Sequence, residues 1–149
     1  MHEGEARLAY HVLELDGNGR HLEPWLMPVV AASTVAATLA SDFAAGDTLD
    51  GQTLTNGDRI LIKDQADPSE NGVYIVTSAD PRRSDDALDG YDLAGRMVLV
   101  ETGTANEGTV WRVDGSGSHP AGTDLTFVAF SAASSGDGGR SFAFFMGGA

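Results

Sequence analysis

Short apolar runs, broken by glycine, asparagine and aspartate, set the rhythm of this chain. Leu8, Tyr10 and Val12 alternate with Ala9, His11 and Leu13, an imperfect period of two that predicts a strand over 8–15. Asp16-Gly17-Asn18-Gly19 then reads as a turn, because Asn and Gly accept positive φ at little cost. Residues 20–27 can return as a second strand, but Pro24 and Pro28 demote it to an edge or an extended linker. Residues 29–45 are rich in Ala, Ser and Thr, and the pattern leaves strand and short helical turn both open.

From Gly46 onward the β character is plain. Arg59-Ile60-Leu61-Ile62-Lys63 is a short apolar strand bounded by Asn56-Gly57-Asp58 and Asp64. Val73-Tyr74-Ile75-Val76-Thr77 is the next, and the turn formers from Asp67 to Gly72 predict a hairpin with a longer loop between the two. Residues 80–92 form a polar loop with Asp80, Asp85, Asp86, Asp89 and Asp92. Further strands follow at 97–101, 109–113 and 125–130, with Leu125, Phe127 and Ala129 on one face of the last. Ser131 to Gly139 reads as a flexible linker, and Phe142, Phe144, Phe145 and Met146 make a strongly apolar terminus. The fold class expected is all-β, a small sandwich or barrel-like domain with an extended N-terminal arm and a C-terminal linker segment. The boundaries drawn are 1–28 for the arm or adaptor, 29–131 for the β-rich module and 132–149 for the linker and apolar segment.

Composition narrows the function classes. Of 149 residues, 42% are hydrophobic, enough for a core, and 19 are Gly, which suits a turn-rich β fold. The formal charge of -13 repels phosphate backbones and anionic headgroups, so neither nucleic acid nor membrane insertion is expected. With no cysteine there is no disulfide, thiolate metal site or Cys nucleophile. The first residues do not have the pattern of a signal peptide.

Candidate chemistry is sparse. Asp85, Asp86, Asp89 and Asp92 lack the spacing of an EF-hand, so a solvated acidic loop is expected, with a calcium site the alternative. His2, His11, His21 and His119 are scattered; His11 and His21 facing each other across a hairpin is the alternative metal reading. No Gly-x-Ser-x-Gly elbow is present. Tyr74, Tyr91 and Trp111 could stack on sugars, although core packing is the expected role of Tyr74 and Trp111. No catalytic, cofactor-binding or metal residue is assigned, and the chain is expected not to be an enzyme. The apolar residues without an evident home are Trp25, Leu26, Phe142, Phe144, Phe145 and Met146, which are assigned to interfaces.

One stretch is specific. Asp50-Gly51, Leu54, Asn56-Gly57-Asp58-Arg59-Ile60-Leu61-Ile62-Lys63-Asp64-Gln65 and Glu70-Asn71-Gly72-Val73-Tyr74-Ile75-Val76 resemble a small β module of tailed-phage tail fibres and prophage tail proteins. The order continues through Arg83, Asp86-Ala87, Met97 to Val100, Gly103-Thr104, Trp111 and Leu125-Thr126-Phe127, so the resemblance runs from Val29 to Ser131. It implies a structural virion protein, the attachment or spacer part of a tail fibre, joined to tail or baseplate proteins as a homo-trimer. It also implies assembly in the bacterial host cytoplasm and places a host surface receptor among the partners. A capsid decoration protein and a receptor- or carbohydrate-binding module are the alternatives. Within the motif, Gly57 and Gly72 are expected at backbone angles that are costly for other residues. Asp58 and Asp64 are expected to accept turn N–H groups, and Lys63 to lay its stem along the sheet and pair with a carboxylate. The Phe-rich end resembles the start of a further fibre segment, so continuation past Ala149 is expected.

Overall fold

The computed structural model describes residues 24–115 and 117–130. The strand and turn expected over 8–19 lie outside them, as do the linker from Ser131 and the Phe-rich terminus. The chain is all-β, with a single 3-10 turn at Pro68–Glu70 the only helical piece among the described residues. The described residues form nine strands: β1 (Ala31–Ala32), β2 (Thr48–Leu49), β3 (Gln52–Thr53), β4 (Arg59–Ile62), β5 (Gly72–Ile75), β6 (Arg82–Arg83), β7 (Met97–Leu99), β8 (Val110–Val113) and β9 (Phe127–Ala129).

A four-stranded sheet has the order β1-β4-β5-β6, with β1 parallel to β4 and the other pairs antiparallel. The expected hairpin is present: β4 and β5 pair Ile60 with Tyr74 and Leu61 with Val73. Its loop is held by the Asp67 carboxylate, which accepts from the Ser69 N–H and hydroxyl. A three-stranded antiparallel meander runs β7-β8-β9. The open reading of 29–45 resolves into β1 followed by turns.

What joins the two sheets is the segment before and through β1. On one edge, the Leu26 and Val29 N–H groups donate to Met97 and Leu99 carbonyls, and the Glu101 and Thr102 N–H groups donate to the Val29 and Val30 carbonyls. On the other edge, the Val30 and Ser33 N–H groups donate to Arg59 and Leu61 carbonyls. Residues 25–33 therefore form a strap that continues both sheets into one surface. The boundary drawn at residue 28 falls inside this strap. The prolines there do not weaken it, because it reaches β7 through other residues' N–H groups while Pro24 contributes its carbonyl to Met97.

Two apolar cores follow from strand alternation. Leu61 and Val73 point inward between the sheets, where they meet Leu26, Val29, Val98, Val113, Leu125 and Phe127. Ile60, Ile62, Tyr74 and Val76 point the other way, into a second core closed by Phe43, Leu49 and Leu54. With both faces covered, β4 reads as an unbroken apolar run and not as an alternation. The β2–β3 hairpin, turned by Asp50-Gly51 at positive φ, is part of that cover. It is pinned by the Asp50 carboxylate, which accepts from the Ala105 and Asn106 N–H groups, each at 2.9 Å.

Gly72 has a φ of +157°, and a Cβ there would run into the Arg83 guanidinium. That guanidinium has little freedom to withdraw: it donates to the Asn71 carbonyl at 3.0 Å and the Ser69 carbonyl at 2.8 Å, and it lies over the Tyr74 ring. Gly72→Ala should therefore lower stability by about 1 kcal/mol or more, because the Arg83 network must shift to admit a methyl group. A midpoint in a denaturant melt equal to the wild type's would show that this close approach is not a constraint.

Candidate interaction surface

The polar residues between Asp58 and Asn71 are engaged within the chain itself. The Asp58 carboxylate accepts from the Thr55 N–H at 2.9 Å, as expected for a turn. Asp64 departs from that expectation: it accepts from the Ser33 hydroxyl at 2.8 Å and the Lys63 ammonium at 3.1 Å, not from a turn N–H. Lys63 does lay its stem against the protein, and its ammonium stands 4.1 Å from the Trp111 ring centre, tying β4 to β8. The Gln65 side-chain amide pairs with both backbone groups of Ala37 and also donates to Glu70. Asn71, buried, accepts from the Gln65 N–H and donates to the Leu125 carbonyl, which fixes the start of β9 to the β4–β5 loop. Tyr74 packs in the second core and donates its hydroxyl to the Glu70 carbonyl, and burial pushes that phenol above its ordinary pKa. Trp111 packs against the first core.

Arg59 makes the central clamp. Its guanidinium donates to the Pro28 carbonyl at 3.0 Å, to the Met27 carbonyl at 2.7 Å and to both Asp86 oxygens, at 3.1 and 3.0 Å. Asp86 also accepts from the Met27 N–H and the Ser84 hydroxyl. Burial pushes the Asp86 carboxyl up, but the hydrogen bonds from Met27, Ser84 and Arg59 and the guanidinium charge together outweigh it and hold the group below its usual range.

The four loop aspartates expected to face solvent divide. Asp85 and Asp89 do so, Asp89 with an ion pair to Arg83 at 2.9 Å. Asp86 belongs to the clamp. Asp92 accepts from the Ala94 and His119 N–H groups, both at 3.0 Å. Backbone donors and arginines thus draw these carboxylates to separate places, and no three His, Asp or Glu side chains gather as a metal site among the described residues.

The interface residues divide as well. Leu26 is 4% exposed and part of the first core, so it is corrected from interface to core: it points inward on the strap, where the sheet core supplies the home that the sequence did not reveal. Its neighbours on the opposite face stay outside, Trp25 at 39% and Met27 at 62% exposure. Phe142, Phe144, Phe145 and Met146 lie outside the described residues. Leu88 at 37% and Tyr91 at 48% add apolar surface on the adjoining turn, which closes with the Tyr91 N–H on the Leu88 carbonyl. For Met27 the signal in the sequence was the alternation of Trp25 and Met27 against Leu26; Leu88, between Ala87 and Asp89, has no such pattern.

No protein-family model, curated protein or solved structure matches the chain. No described helix is long and apolar enough to cross a membrane.

Two expectations follow. Leu26→Ala should cost about 2–4 kcal/mol as a core truncation, while Met27→Ser should stay within about 0.5 kcal/mol of wild type. Equal losses in urea melts would contradict the opposite facing of these neighbours. The second concerns acid. Asp86 has a folded-state pKa below its unfolded value, so its stabilisation is present above the unfolded value of about 4 and is lost as pH falls through the folded one. Asp86→Asn should thus melt lower than wild type near neutral pH, and the gap should close below about pH 4. A gap unchanged into acid would remove Asp86 as its source.

Proposed function

We propose that this chain is a structural module of a tailed-phage virion, the attachment or spacer part of a tail fibre, and that it carries no catalytic activity. The observation that supports this reading is where the motif's polar groups go. Asp58, Arg59, Lys63, Asp64, Gln65, Asn71, Arg83 and Asp86 hold turns, the strap and the two sheets in place through hydrogen bonds within the chain. A catalytic constellation needs such groups aimed at a shared open point where a reacting atom can sit. Here they are directed at backbone groups and at one another, while large apolar side chains are exposed at Trp25, Met27, Val35, Leu88 and Tyr91. A rigid body with apolar contact points is suited to noncovalent assembly with other virion proteins, with the working form a homo-trimer made in the host cytoplasm.

Immunogold labelling of purified particles tests this, using antibodies raised against the chain. Label at the tail or fibre is the expected result. Label over the head would move the assignment to capsid decoration, and particles free of label would overturn the virion reading.

A further inference from the structure

Exposed apolar residues and exposed carboxylates share the segments joined at Asp86, and the two together specify a partner. Met27 and Leu88 belong to segments fastened through Asp86: its carboxylate accepts from the Met27 N–H at 3.0 Å, and Leu88 follows two residues later. Tyr91 stands on the same turn as Leu88. Trp25 lies two residues before Met27 along the extended strap. In the same loop as Leu88 and Tyr91, the Asp85 side chain is 91% exposed and the Asp89 side chain 77%, each facing one arginine, Arg82 and Arg83. Residues 80–92 contain five aspartates and two arginines, 2 − 5, a net charge of −3.

We infer that the Met27, Leu88 and Tyr91 face docks a protein segment with an apolar centre flanked by lysine or arginine. This rests on the assembly reading above and names the chemistry of the neighbour that the face takes. The apolar side chains lose water on contact, which drives association. The exposed carboxylates select the sign of charge around the partner's apolar centre and speed encounter. A second copy of this chain meets the opposite condition. It brings the same exposed carboxylates, Asp85 and Asp89, to a face that already carries them, between bodies that each carry −13. The clamp of Arg59 and Asp86 beneath the surface holds the strap and the loop at one separation, so little ordering is left to be done at docking.

Three fluorescently labelled synthetic peptides serve as probes against the full chain: one alternating leucine and lysine, one alternating leucine and glutamate, and one alternating serine and lysine. Fluorescence anisotropy should register binding of the leucine–lysine peptide, weakened by added salt, and far weaker binding of the other two. The double variant Met27→Ser with Leu88→Ser should lose at least about tenfold in affinity, since truncation removes the central apolar contacts. Asp85→Asn should steepen the loss on its own and flatten the salt dependence. Val35→Ser, at an exposed apolar position after β1, should bind as wild type. All of these positions are exposed, and thermal melts check that the variants fold. Equal binding of the serine–lysine peptide would reduce the effect to net charge and overturn the inference, as would unchanged binding by the double variant. Particle labelling with failed peptide binding defeats this inference alone; peptide binding without particle labelling defeats the virion reading alone.

Discussion

Arg59 donates to the strap's Met27 and Pro28 carbonyls and to both oxygens of Asp86, and the two-sheet arrangement depends on that clamp. A planar guanidinium can serve three such directions at once; a lysine ammonium is a point charge without the fork needed for a bidentate carboxylate. The position of Arg59 at the start of β4 matters equally. Its backbone carbonyl accepts from the Val30 N–H, so one residue grips the strap by main chain and by side chain. With the strap held, Leu26 and Val29 fill the space between the sheets, and Ala31 turns to the second core. Small residues in β1 let a parallel strand lie close to β4 between two cores.

The same economy of polar groups runs through the molecule. Arg59, Lys63, Arg82, Arg83 and Arg112 each have a carboxylate within reach. Lys63 is nearly buried at its side chain, and its charge is met by Asp64 on one side and the Trp111 ring on the other. Such pairs offset these cations, and the full chain keeps a net charge of −13. That distribution is the physical ground for preferring an assembling body over a binder of anionic polymers.

Much of the β architecture was legible along the chain. β4 and β5 stood out because their apolar runs are bounded by Asn-Gly pairs and separated by turn formers. The motif residues stand out along the chain, but their roles are set by the fold: Asp64 resembles a turn acceptor in sequence, yet it serves a hydroxyl and an ammonium. β6 was hidden inside an acidic loop, because two adjacent arginines have no apolar pattern and pair with β5 only where Tyr74 and Ile75 offer an edge. The β2–β3 hairpin had its signal in Asp50-Gly51, but strands of two residues are too short for periodicity to reveal.

By itself, then, the sequence determined the all-β class, the main hairpin, the order of the later strands and the acidic balance, since each depends on local spacing or on a count. Tertiary structure alone decided which neighbour of the Trp25-Leu26-Met27 trio is core. It also decided that Asp86 and Asp92 turn inward while Asp85 and Asp89 remain outside. The reason is that both outcomes depend on partners distant in the chain. Leu26 is buried by residues of β7 to β9 and their loops, and Asp86 is held by Arg59, 27 residues away. Local pattern carries the period of a strand, whereas the side on which a short, proline-flanked strand finds its sheet is settled only when that sheet has formed.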